Sequence, residues 1–137
     1  MKKIILLAAI LLFSLASVAQ NVGIGTTTPV AKLHIKGSHD STQLIIEANA
    51  TQSNTKPLIS LRNSAGTDLL WLHSDNANNT FIGLNAGRVN NASGGGLYNS
   101  FFGSGAGYSN TTGTFNTANG AGALYTNTTG LSNTANG

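Results

Sequence analysis

The sequence predicts an all-β chain, with a short β module leading into a parallel β-roll or β-solenoid of 17–20-residue repeats, associated as a homotrimer. Three observations carry this expectation. A short motif recurs in phase with a second marker over the C-terminal half. That half is rich in glycine, threonine and asparagine, and from Val89 to Gly137 it contains no Asp, Glu, Lys or Arg. Ahead of it, short runs alternate polar and apolar residues as half-buried strands do.

The chain begins with a leader. Lys2 and Lys3 precede an apolar run from Ile4 to Leu15, and Ser17-Val18-Ala19 places small residues where a signal peptidase cuts. Residues 1–19 are predicted to be a signal peptide, with Gln20 as the mature N-terminus. The apolar run is shorter than the roughly 20 residues of a spanning helix, so no membrane insertion is expected after cleavage. The expected location is outside a bacterial cell, secreted or at its surface. Removing Lys2 and Lys3 from the seven basic residues leaves five against four acidic ones. Such a near-neutral chain gives no reason to expect nucleic acid as a partner. There is no cysteine, so stability has to come from a core, a stack of repeats or an oligomer.

Residues 20–76 are predicted to form the N-terminal β module, as a cap or fibre segment. Lys32-Leu33-His34-Ile35-Lys36 alternates as a strand, and Gln43 to Ala48 reads as a second. Pro57 to Arg62 and Thr67 to His73 flank Asn63-Ser64-Ala65-Gly66, a turn sequence that predicts a hairpin.

Residues 77–137 carry the repeats. Asn79-Thr80-Phe81-Ile82-Gly83-Leu84-Asn85-Ala86-Gly87 returns as Asn99-Ser100-Phe101-Phe102-Gly103-Ser104-Gly105-Ala106-Gly107. It returns again as Asn116-Thr117-Ala118-Asn119-Gly120-Ala121-Gly122-Ala123-Leu124 and restarts at Asn133-Thr134-Ala135-Asn136-Gly137. The pattern is N-[ST]-x-x-G-x-x-A-[GL], at offsets of 20, 17 and 17 residues, and the stretch stops in mid-repeat as a piece of a longer chain would. Asn110-Thr111-Thr112-Gly113 and Asn127-Thr128-Thr129-Gly130 recur 17 residues apart in the same phase. This period is too short for a helical pair, and the glycine content opposes helix. It suits one coil of a solenoid, with strands such as Thr80 to Ile82 and Ser100 to Phe102. The repeat-defining residues are Asn79, Gly83, Asn99, Gly103, Asn116, Gly120, Asn133 and Gly137. The glycines are expected at positive φ in turns, and the asparagines are expected to stack between coils. Phe81, Ile82, Phe101 and Phe102 are read as a seam for association between chains.

Residues with chemical potential have structural readings. His34, His39 and His73 lack metal-ligand spacing, and Asp40 and Asp75 sit in turn sequences. Four acidic residues offer no clustered carboxylates of the kind polysaccharide-cleaving β-helices use. Gly103-Ser104-Gly105-Ala106-Gly107 lacks the third glycine and the lysine of phosphate-binding loops and belongs to the repeat. Trp71 is read as core or trimer-interface packing. The adjacent pairs Thr111-Thr112 and Thr128-Thr129 point to opposite faces, unlike the flat threonine array of an ice binder. No enzyme activity, cofactor or metal is predicted.

The repeat core resembles the N-S-x-x-x-G-x-x-A repeats of the YadA-like heads of trimeric autotransporter adhesins, with the spacing from asparagine to glycine one residue shorter. The resemblance implies a left-handed parallel β-roll packed as a trimer. It extends over residues 79–137 and includes neither the stalk nor the membrane barrel of that family. Val22-Gly23-Ile24-Gly25-Thr26-Thr27-Thr28-Pro29-Val30-Ala31-Lys32-Leu33-His34-Ile35 is similar to the V-G-I-G-T-x-x-P-x-x-K-L-x-I segment of tail-fibre-like surface proteins. Together these imply a surface adhesin that attaches to host matrix, a cell-surface protein or a glycan. The alternative is a structural fibre spacer without a ligand.

Overall fold

The computed structural model describes residues 21–48 and 52–137, so the predicted leader at residues 1–19 lies outside the described residues. The chain divides into two compact units, Met1–Ile45 and Ile46–Gly137. In the first, β1 (Val22–Ile24) pairs in parallel with β2 (Leu33–Ile35). The pair closes at both ends, where Val22 N–H donates to the Lys32 carbonyl at 2.7 Å and Lys36 N–H to that of Ile24 at 2.8 Å. Gly25 has φ 74°, and a Cβ there would lie 2.1 Å from the Lys36 carbonyl oxygen. The second glycine of V-G-I-G-T is therefore required by the turn. No described residue of this unit is buried.

The predicted strand over Gln43 to Ala48 is not formed; the segment is irregular and exposed, with Leu44, Ile45 and Ile46 open to solvent. β-propensity measures how a side chain packs on a pleated surface, and among the described residues no strand pairs with this segment to supply that surface.

The second unit is one six-stranded sheet, β3 (Ile59–Arg62), β4 (Asp68–His73), β5 (Thr80–Ile82), β6 (Ser100–Phe102), β7 (Thr117–Asn119) and β8 (Thr134–Asn136), in sequence order. β3 and β4 form the predicted hairpin. Asn63 Oδ1 accepts from the N–H groups of Ala65 and Thr67, and Gly66 takes φ 80°. β4 pairs antiparallel with β5. From β5 onward all pairing is parallel and follows the repeat, Asn-linked coil on coil: Phe81↔Phe101↔Ala118↔Ala135. Residues 80–136 thus form a parallel β-solenoid of about three turns, and the described residues are all-β apart from one short 3₁₀ turn. The first coil is three residues longer than its successors, and those residues form a short 3₁₀ turn, Ala92–Gly94, closed by Gly95 at φ 109°.

Glycine at the fifth motif position has positive φ in every copy: 134° at Gly83, 133° at Gly103, 120° at Gly120 and 108° at Gly137. Close approach demands glycine as well, since a Cβ on Gly83 or Gly103 would lie 2.5 Å from backbone atoms of the next coil.

The interior is narrow. Its core is Phe81, Ala86, Phe101, Ala106, Ala118 and Ala123, with Leu124 and Ala135 packed against it. Phe81 and Phe101 stack with ring centroids 5.3 Å apart and planes 11° from parallel. Both are fully buried, so the expected association seam is corrected: only Ile82 and Phe102 of the four residues face outward. Strand alternation forces this division, because the middle residue of each three-residue strand points into the coil.

The motif's variable last position follows from volume. Cβ atoms on Gly87 and Gly107 would lie 2.8 and 2.4 Å from the rings of Phe81 and Phe101. In the next coil the interior residue is Ala118, and Leu124 occupies the glycine position in the same left-handed conformation, φ 52°. Two coils use Phe with Gly and one uses Ala with Leu. Phe101→Ala should destabilise the protein by about 3–5 kcal/mol through the cavity it leaves. Gly107→Leu should cost at least about 1–3 kcal/mol by overpacking. The double variant should recover most of the combined loss, read as a coupling energy in urea unfolding; simple additivity would show that the two positions do not share one volume.

Candidate functional site

The repeated residues build two polar columns inside the coil wall. In the first, the backbone N–H of each motif asparagine donates to the side-chain Oδ1 of the asparagine one coil earlier. Asn99 donates to Asn79, Asn116 to Asn99 and Asn133 to Asn116, each at 2.9 Å. The side-chain amides of Asn79, Asn99 and Asn116 then donate within their own coils to the carbonyls of Gly96, Gly113 and Gly130, each at 2.8 Å. In the second column the amides bond to one another, with Asn110 Nδ2 to Asn90 Oδ1 at 2.6 Å and Asn127 Nδ2 to Asn110 Oδ1 at 3.1 Å. Asn99, Asn110 and Asn116 are completely buried. The Asn-Thr-Thr-Gly marker is therefore the second column together with its acceptor glycine.

Both columns end on one carboxylate. Asp75 accepts from Asn79 Nδ2 at 2.7 Å, Asn90 Nδ2 at 2.8 Å, Asn54 Nδ2 at 3.2 Å and the Ala92 N–H at 3.3 Å. A carboxylate accepts without donating, so it ends a column whose members each offer an N–H. The turn role expected from its neighbours in sequence omits this one; the signal available was an acid four residues before the first repeat asparagine. Beside it, Asn54, Arg88, Asn90, Asn91 and Ser93 help line an open polar cavity of about 320 Å3.

The apolar column also has a head group. His73 is opposite Phe81 and continues the interior stack, its ring 5.5 Å from that of Phe81 and 6.1 Å from Trp71. Both ring nitrogens are buried without a hydrogen-bond partner. Burial lowers the imidazole pKa below its ordinary 6.5, and Asp75 and the Ala86 carbonyl offset this only in part. His34 accepts from the Val30 N–H in the β1–β2 turn, and His39 is exposed beside Ser38. The three histidines are far apart in role, and no cluster with metal-binding composition is found among the described residues. Trp71 is half-buried, with Nε1 donating to Asp68 at 2.8 Å. Ser60, Arg62 and Trp71 all donate to Asp68 and lower its pKa to about 2.

The outer surface repeats as regularly as the interior. Thr80, Ser100, Thr117 and Thr134 form one row along the sheet. Tyr98 stacks on Phe115 and Tyr108 on Tyr125, both at 4.8 Å, and the Arg88 guanidinium lies 5.8 Å from the Tyr108 ring. Tyr98 and Phe115 hold left-handed backbone at φ 57° and 58°, which costs a bulky residue about 1–2 kcal/mol. A stacked pair returns about 0.5–1.5 kcal/mol. Of the repeat-defining residues, the asparagines form the first internal column and the glycines the turns; none of the eight lines the cavity beside Asp75. No known protein family, curated protein or solved structure matches this chain.

Two outcomes follow. Asn99→Ala strands the Asn116 N–H in the coil wall, while the Gly113 carbonyl keeps Asn110 Nδ2 as a donor; a buried unpaired group costs about 1–3 kcal/mol, and chemical unfolding should show a loss of that size. A base with a depressed folded pKa binds its proton more readily when unfolded. Stability from His73 is therefore complete above about pH 6.5 and declines as the pH falls below it. His73→Phe should remove that component, so the melting temperatures of variant and parent should diverge as pH falls from about 7 to 5. Parallel curves would contradict the assignment.

Proposed function

We propose that the chain is part of an exported, oligomeric surface fibre of the trimeric adhesin type, which attaches through many equivalent weak contacts on the solenoid. The observation that carries this reading is that one outer row, Thr80, Ser100, Thr117 and Thr134, repeats in strict register on a rigid stack. The aromatic columns stand beside the same backbone ladder. Identical groups at a fixed repeat convert poor single contacts into useful avidity. Hydroxyl, amide and aromatic groups suit neutral partners such as glycans or matrix proteins. From Asn79 to Gly137 the only charged residue is Arg88, which fits attachment better than acid–base catalysis.

Two features support self-association. The N-terminal unit leaves Val22, Ile24 and Leu33 more than half exposed. On the outer face of the sheet, Ile59, Leu61, Leu70, Leu72, Ile82 and Phe102 adjoin one another through the strand register. Contiguous apolar surface of this kind marks an interaction site. A second reading, a spacer that only extends a fibre, is favoured by the satisfaction of the buried asparagines within the coils.

The chain produced with its leader should be recovered outside the cell beginning at Gln20. Light scattering should give three times the chain mass, and binding to a panel of glycans and matrix proteins should strengthen when the trimer is clustered on beads. Binding to nothing in the panel would select the spacer reading, and a monomer would remove the fibre reading.

A further inference from the structure

We propose that Gln43–Ala48 is a strand in waiting, which adds to the open edge of β3 in a second copy of the chain. The inference deepens the self-associating fibre reading and rests on it, but it names the segment, the edge and the register.

The segment has the composition of a strand without its pairing. Leu44, Ile45 and Ile46 are 58%, 73% and 44% exposed, three consecutive large aliphatic residues with β preference in water. A run of that kind is a liability unless something covers it. The receiving site is equally defined. Among the described residues β3 is an edge strand with β4 as its single neighbour, so one side of its backbone offers N–H and C=O groups for pairing. Extended segments bind such edges by main-chain hydrogen bonds, with alternate side chains setting the register.

Side-chain pattern selects one register. In β3, Ile59 and Leu61 belong to the outer apolar face through their partners Leu72 and Leu70, while Ser60 lies on the other face with Trp71. A parallel strand with Leu44 opposite Ile59 sets Ile46 opposite Leu61, extending the apolar face by two residues. The same register sets Glu47 opposite Arg62. Arg62 uses its Nε on Asp68 and is otherwise well exposed, so its remaining donors are available to a second carboxylate. An antiparallel strand with Leu44 opposite Leu61 also covers the apolar face but moves Glu47 away from Arg62. Charge complementarity therefore favours the parallel arrangement.

Connectivity favours a second copy over the same chain. Ten residues, 49–58, join the segment to β3 in one chain, and the two are not paired there. Within that connection Asn54 is buried and tied to Asp75 and the Asn90 carbonyl, which fixes its course. A segment from another copy has no such restriction.

The chain has no cysteine, which makes cross-linking a direct test. Paired residues of adjacent strands fall within the Cα separation a disulfide spans. Leu44→Cys with Ile59→Cys in the full chain should form covalent multimers on oxidation, seen on a denaturing gel and lost on reduction. Adding Ile46→Asp should abolish them while leaving the thermal unfolding of the coils unchanged. A disulfide within one chain, more efficient linkage for Leu44→Cys with Leu61→Cys, or no disulfide at all would each overturn the proposal. Light scattering on the parent chain separates the two levels: an oligomer without the cross-link sinks strand addition alone, whereas a monomer sinks the fibre reading as well.

Discussion

Each coil reaches the next through an amide that the previous coil leaves open. Asn79 Oδ1 accepts the Asn99 N–H, Asn99 Oδ1 accepts that of Asn116, and Asn116 Oδ1 that of Asn133. The bond is strict about register. A coil displaced by one residue would turn its asparagine and its alanine or phenylalanine outward and its threonine or serine inward, because strand side chains alternate. Buried polar groups left unpaired in that shift are costly. Register, turn glycines and the outer rows therefore all depend on this column.

A chain of such bonds needs an end that does not itself require a partner. Asp75 supplies it with a carboxylate that takes four donors, and the β3–β4 hairpin brings it there. The apolar column ends less well. His73 fits the stack in shape and in strand register, yet its two nitrogens have no partners. The same residue thus closes the interior against water and makes that closure sensitive to acid.

Because hydrogen bonding and packing are completed in the interior, within coils and between them, the outer residues carry little of the fold. Thr80, Ser100, Thr117 and Thr134 can form a uniform row, and aromatic residues can stand in the left-handed positions of Tyr98 and Phe115. A solenoid separates the two tasks in this way: interior positions hold the repeat, and exterior ones are available for contact. The apolar outer face from Ile59 to Phe102 and the bare segment at Leu44–Ile46 are the places where that exterior is not polar, and both direct attention to other copies of the chain.

Much of this was legible in the residues. The phased asparagines and glycines gave the coil, its strands at Thr80–Ile82 and Ser100–Phe102, and the stacking of amides, since a repeat in sequence becomes a repeat in space once strands pair in parallel. The hairpin at Asn63–Gly66 was legible because its turn is local. The unpaired state of Gln43–Ala48 is not legible in the sequence, since alternation and propensity describe a strand's surface and not whether a neighbour exists. The inward position of Phe81 and Phe101 is not legible either, because a motif does not state which side of a three-residue strand faces the coil. By itself the sequence determined the period, the turns and the polarity of the repeat half, all of which rest on short-range chemistry. Only the tertiary structure decided that Asp75 and His73 head the two columns and that Leu124 replaces a glycine where Ala118 replaces a phenylalanine. Those assignments depend on which residues the coils bring together, and distance along the chain does not encode that.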